Sequence, residues 1–269
     1  MKRLSMRGGN RVCWSAALLL LLATLPARSQ TGWYAVGGVQ VNGGRFGADA
    51  YTHVYSILPG LRYQGSNVGV TVILPLVSSN NVLSQSNGAT MPSGMNPSLG
   101  STMPAPGMHF GVGDMVAYAD YRLFSDEKSA LAVYLNAQVK APTSSNDENL
   151  GTGRWDVGAS ITMRKGFDDY VTFVDVGYLD IGDPEGITYS NPLTFGVGVG
   201  RFLGQGKYSV LIYYSGYTKI LDAYDSPQQL SLGGNVRLSD EIILSIIGSK
   251  GIGNSTPDFT LNSGVRIRF

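Results

Sequence analysis

One cysteine, two histidines and few charges: these scarcities narrow the chemistry before any motif is considered. Cys13 lies in an N-terminal stretch that reads as a secretory signal, with Lys2, Arg3, Arg7 and Arg11 as its basic region and Ala16 to Leu25 as its apolar core. Ala27-Arg28-Ser29 forms a cleavage site before Gln30, so the expected organisation is a signal peptide over 1–29 and one domain over 30–269. The exported chain then has no thiol nucleophile, no disulfide and no Cys-ligated metal. Beyond residue 29 no apolar run approaches the roughly 20 residues that a membrane helix needs. Charged residues make up only 14% of the chain, against about 25% in an ordinary soluble domain. Loss of 1–29 removes five of the 20 basic residues and none of the 19 acidic ones, leaving a net charge of −4. Together with the absence of basic runs, that argues against a nucleic-acid partner.

What is abundant is glycine, with 36 residues, and tyrosine, with 15. What is periodic is alternation. The chain closes on Phe259-Thr260-Leu261-Asn262-Ser263-Gly264-Val265-Arg266-Ile267-Arg268-Phe269, whose odd positions are mostly apolar and whose even positions include two arginines. Successive side chains of a strand point to opposite faces. The same two-residue period recurs in Leu131 to Lys140, Trp155 to Arg164, Leu193 to Gly200 and Leu230 to Leu238. Twelve segments are read in all: 32–42, 52–64, 68–77, 109–124, 130–141, 154–164, 170–181, 193–202, 207–217, 228–238, 242–250 and 258–269. Short connections such as Gln64-Gly65-Ser66-Asn67 and Leu203-Gly204-Gln205-Gly206 alternate with longer ones, a parity that demands an even strand number. The expected fold is all-β: a transmembrane antiparallel up-and-down barrel of about 12 strands in the bacterial outer membrane. Its apolar faces would meet the lipid bilayer and its polar faces a lumen. Aromatics near strand ends (Trp33, Tyr34, Tyr63, Phe124, Trp155, Tyr170, Tyr178, Phe202, Tyr208 and Phe269) are expected in interfacial girdles. The terminal Phe269 is expected to address the chain to the barrel-assembly machinery.

Alternation nominates the lumen residues. Basic members are Arg62, Arg122, Lys140, Arg154, Arg164, Arg237, Arg266 and Arg268; acidic ones are Asp114, Asp120, Asp156 and Asp175; Asn136 and Asn235 add neutral amides. Eight cations against four anions make the lumen positive although the mature chain is negative. Such a lining suits an aqueous path for a small-molecule solute. It equally suits Arg–Asp pairs that brace a closed lumen, as in a structural or adhesive barrel without transport. Twelve strands lie between filled eight-stranded and open sixteen-stranded barrels, so strand number does not choose. The long uncharged stretch 78–108, which carries Met91, Met95, Met103 and Met108, is either a surface loop or a lid over the mouth with an adaptable apolar lining.

Catalysis finds no support. A nucleophilic site needs a base within reach and a group to orient it, and His53 and His109 belong to no such motif. Asp180, Asp183 and Glu185 share one loop without the spacing of a calcium loop. The runs Gly111-Val112-Gly113-Asp114 and Gly196-Val197-Gly198-Val199-Gly200 open no helix and so do not form a phosphate loop. No enzyme activity, cofactor or metal is expected.

A more specific pattern joins Gly111-Val112-Gly113-Asp114, Tyr121-Arg122-Leu123, Val139-Lys140-Ala141-Pro142-Thr143 and Leu150-Gly151-Thr152-Gly153 followed by Asp156. It resembles the family of outer-membrane transporters associated with the meta-pathway of phenol degradation. The resemblance implies a barrel that passes small, often aromatic or apolar, compounds.

Overall fold

The computed structural model describes residues 31–45, 51–80, 83–86, 89–92, 108–144, 151–183, 188–221, 225–253 and 256–269. The signal-peptide expectation, and Met95 and Met103 of the proposed lid, lie outside the described residues.

Twelve staves form one antiparallel sheet that closes on itself. They are β1 (Gly32–Gly44), β2 (Thr52–Ile57 with Gly60–Gln64), β3 (Val68–Ile73 with Leu76–Ser79), β4 (His109–Val112 with Met115–Asp126), β5 (Leu131–Ala141) and β6 (Asp156–Phe167). The second half comprises β7 (Tyr170–Ile181), β8 (Leu193–Leu203), β9 (Tyr208–Tyr217), β10 (Gln228–Arg237), β11 (Ile242–Ile252) and β12 (Phe259–Arg268). Each stave pairs with its sequence neighbours, and β12 returns to β1 from Tyr34↔Arg268 to Gly43↔Phe259. Closure matters because an open edge would leave amides without partners in hydrocarbon. A separate short hairpin, Leu83–Ser86 with Ala89–Pro92, follows β3.

β1 begins and β12 finishes at the same end, here the inner end. Tight turns follow β2, β4, β6, β8 and β10 there, and the longer connections all lie at the outer end. Ala130 (φ 49°), Asp168 (φ 49°), Gly204 (φ 57°), Gln205 (φ 56°) and Gly206 (φ 82°) supply the left-handed conformations that such turns need.

Three segments read as single strands, 52–64, 68–77 and 109–124, are each broken. The breaks fall at Leu58-Pro59, Leu74-Pro75 and Gly113-Asp114, on adjacent staves. Proline has no N–H for the ladder. The Pro59 carbonyl still accepts from Leu74 N at 3.0 Å, and that of Pro75 from Gly113 N at 2.8 Å, so the staves stay joined across the line of breaks. At Gly113 the alternation also changes phase: Phe110 faces out before it, whereas Asp114, Val116 and Asp120 face in after it. Two further corrections concern limits. β6 starts at Asp156 rather than at 154, and Ser78 and Ser79 belong to β3 rather than to the long loop.

The usual distribution of polarity is reversed. Gln40, Asn42, Thr52, Arg62, Thr71, Lys140, Thr162, Ser231 and Asn262 are buried, while Leu232, Val176, Ile246, Ile57 and Ile161 on the opposite faces are more than half exposed. In water, so much contiguous exposed apolar surface would drive association. In a bilayer it is the contact surface. Trp33 and Tyr63, with ring centroids 5.2 Å apart, stand among the outward aromatics. Tyr34 and Phe202 depart from the girdle expectation, since Tyr34 is buried on the lumen side and Phe202 lines the inner end of the lumen.

Candidate functional site

The lumen is built from contacts that reach across staves. Arg62 of β2 donates through Nη2 to Asp120 Oδ1 of β4 at 2.8 Å, and through Nη1 to Thr71 Oγ1 at 3.0 Å. The pair spans β3 over Gly69, whose position directly opposes Asp120; a Cβ there would collide with the guanidinium and the carboxylate. Tyr213 of β9 likewise donates to Asp175 Oδ2 of β7 at 2.6 Å, passing over Gly196 of β8. Gly196 and Gly198 are, with Gly200, the lumen-facing members of the Gly-Val alternation. They leave room for the stacked rings of Phe173 and Tyr213, whose centroids are 5.2 Å apart. With Leu211 and Ile247 these rings form an apolar cluster inside the lumen.

At the outer end Lys140 of β5 lies between Asp114 of β4, at 3.3 Å, and Asp156 of β6, at 3.1 Å. All three side chains are buried to within one per cent of complete. Lys140 Nζ also donates to Thr152 Oγ1. Asp114 accepts from Ser144 N at 3.1 Å and Asp156 from Gly182 N at 3.0 Å, so the ion triplet holds the connections that follow β5 and β7. Residues of the Gly-x-Gly-Asp, Lys-x-Pro-Thr and Gly-Thr-Gly-x-x-Asp runs therefore meet in one place, and what they build there is a clamp. Beside it Leu179, Ile181, Tyr189, Tyr217 and Ile220 pack together where two outer connections fold inward. Burial and the charges of Asp156 and Asp183 push the Tyr189 hydroxyl up to about 12, so it stays protonated at physiological pH.

Among the described residues, two cavities are seen along the lumen. A cavity of about 660 Å³ opens at the inner end, lined among others by Tyr34, Arg122, Arg237, Ile243 and Arg266. A narrower one of about 110 Å³ lies further in, lined by Tyr118, Asn136, Gln138, Asp175 and Tyr213. Both are lined by Asp120, Tyr134 and Arg164, which places these side chains where one space passes into the other. Arg164 sits 5.9 Å from the Tyr134 ring centroid.

The other expected lumen residues divide as follows. Asn136 donates to Ser160 Oγ at 3.1 Å and Thr162 Oγ1 at 2.9 Å, and Asn235 to Ser209 Oγ at 3.0 Å. Arg122 ties the turn after β2 through Ser66 O and Asn67 Oδ1. Arg266 stacks over Tyr34 at 5.0 Å, and Arg268 reaches Thr31 O at the inner rim. Arg154 departs from expectation: it precedes β6 and is exposed. Met108 is exposed, and Met91 lies on the short hairpin. Of the carboxylates considered for calcium, Asp180 accepts from Asn191 Nδ2 at 2.5 Å and Asp183 from Tyr189 N at 2.7 Å, while Glu185 lies outside the described residues. Among the described residues no cluster of potential metal ligands occurs. Alternation did not single out Tyr118, Phe173 or Tyr213, or the glycines that make room for them. The available signal was a lumen-parity glycine flanked on neighbouring strands by large lumen-parity side chains.

These features define a closed twelve-stranded transmembrane β-barrel with a polar, partly filled lumen. The chain belongs to the family described as the MetA-pathway of phenol degradation, whose pattern matches residues 30–269. Among solved structures it is similar to the COG4313 outer membrane channel from Pseudomonas putida F1, at 14% identity and a TM-score of 0.68, covering 91% of this chain and 99% of the other. The translocator domain of the autotransporter NalP from Neisseria meningitidis is similar at 13% identity and a TM-score of 0.52, with 94% of each chain covered. The KdgM porin is similar at 7% identity and a TM-score of 0.52, covering 88% of this chain and 99% of the porin. At these identities the likeness is one of fold. No curated protein matches the sequence.

Proposed function

We propose that the protein is a passive outer-membrane channel for small molecules, including aromatic or apolar ones, and that it carries out no catalysis. The observation that carries this reading is the pair of adjoining lumen cavities inside a wall whose outer face is apolar. Membership of a family named for phenol degradation supports aromatic solutes. Solutes would pass between Asp120, Tyr134 and Arg164, and the stretch 80–108 would act as lid through Met91, Met95, Met103 and Met108. The C-terminal strand ending in Phe269 would engage the barrel-assembly machinery.

A second reading, a closed structural or adhesive barrel, is favoured by the buried Lys140 triplet and by the Arg62–Asp120 bridge that runs over β3 on the lumen side. Planar-bilayer recording separates the two. The channel reading predicts discrete conductance steps, larger once residues 80–106 are removed. A protein that inserts yet passes no current, with or without those residues, removes the channel reading and leaves the closed one.

A further inference from the structure

The narrower cavity carries an acceptor that the protein itself does not engage. Gln138 of β5 lines it and is 6% exposed, and its Oε1 has no hydrogen-bond partner among the described residues. A buried acceptor left unpaired weighs against folding. The pairing registers put Tyr118 of β4 on one side of Gln138 and Gly158 of β6 on the other. A Cβ at Gly158 would lie 2.7 Å from Gln138 Nε2, so the amide rests over a position that only glycine keeps clear. Neighbouring donors are already committed: Asn136 donates to Ser160 and Thr162, and Tyr213 to Asp175. Among the described residues that line the cavity, Arg62 and Arg164 stand against Asp120 and Asp175, so its charges balance.

We propose that this cavity is a binding site for a neutral, single-ring aromatic that carries a hydrogen-bond donor, with Gln138 Oε1 as its acceptor. The O–H or N–H of the ligand satisfies the amide oxygen, and the ring packs among Tyr118, Tyr134 and Tyr213. A few placed polar groups in a largely apolar wall are what fixes a small ligand's orientation. The volume of about 110 Å³ is of the order of the ~150 Å³ cavity that admits benzene. A substituent can extend past Asp120 and Tyr134 into the wider space. A carboxylate would bring only acceptors to an unpaired acceptor, and would do so beside Asp175. The site rests on the channel reading and deepens it by giving the solute a chemical class, while binding itself does not require that the lumen conduct.

The test is a titration of the full barrel in detergent, read by NMR of isotope-labelled asparagine and glutamine side-chain amides. The Gln138 signal is the one that Gln138→Met or Gln138→Glu removes, and Asn136 reports on the same cavity in those variants. Benzyl alcohol and anisole are isomers, but only the first can donate a hydrogen bond. The proposal expects saturable shifts of both signals with benzyl alcohol. Anisole and benzoate should bind at least tenfold more weakly, with each ligand counted as the fraction free of micelles. In a folded Gln138→Met barrel, anisole should bind as tightly as benzyl alcohol. Equal binding of the two isomers in the unaltered protein overturns the proposal, as does a tenfold preference that persists in the folded Gln138→Met barrel. Shifts with neither isomer overturn it too, and leave the cavity to water. Benzyl alcohol binding in a barrel that passes no current would remove the channel and keep the site. Current without benzyl alcohol binding would do the reverse.

Discussion

Replacing Lys140 with methionine is expected to destabilise the barrel by about 3–5 kcal/mol, the usual cost of stranding a buried charge by deleting its partner. The substitution removes the cation between Asp114 and Asp156, two carboxylates that are almost wholly inaccessible to water. It also removes the Lys140 donor to Thr152, while Ser144 N and Gly182 N keep Asp114 and Asp156 as acceptors. Urea titration of the folded barrel in lipid vesicles, followed by the loss of heat-modifiable electrophoretic mobility, reads the effect. Combining Lys140→Met with Asp114→Asn and Asp156→Asn should recover most of the loss, because a neutral trio leaves no unpaired charge. A single variant as stable as the parent would show that the triplet does not hold the outer end together.

The second large effect is expected on the opposite face. Leu232 lies midway along β10, points away from the lumen and is 64% exposed. On a water-soluble surface Leu232→Arg would change stability by no more than about 0.5 kcal/mol. On the lipid face of a barrel it should cost about 2–4 kcal/mol near the bilayer midplane. The same urea titration decides between the two, and an unperturbed midpoint would place Leu232 in water.

The fold was legible because alternation survives even where hydrogen bonding does not. Pro59 and Pro75 break β2 and β3, yet Arg62 and Thr71 still face the lumen on the expected parity. At Gly113 the phase does shift, so alternation carried through His109 to Phe124 as one strand misplaces its first residues. The site was less legible, because alternation assigns a face and says nothing of depth or partner. Arg62, Lys140, Arg237 and Arg266 share a parity class with the lumen but do different work. The first braces the barrel across Gly69, the second clamps the outer loops, and the last two line the inner cavity. That division depends on register between strands and on where glycine removes a side chain. Arg154 failed for a simpler reason, because the ladder of β6 begins two residues later, at Asp156.

The central claim is that alternate residues along each stave meet hydrocarbon and lumen. Nitroxide labels placed singly from Gln229 to Val236 in vesicle-embedded protein, read by collision with dissolved oxygen, address it directly. The account predicts a two-residue period with maxima at Leu230, Leu232 and Val236 and minima at Ser231, Gly233 and Asn235. A flat profile, or maxima at Ser231 and Asn235, would contradict it.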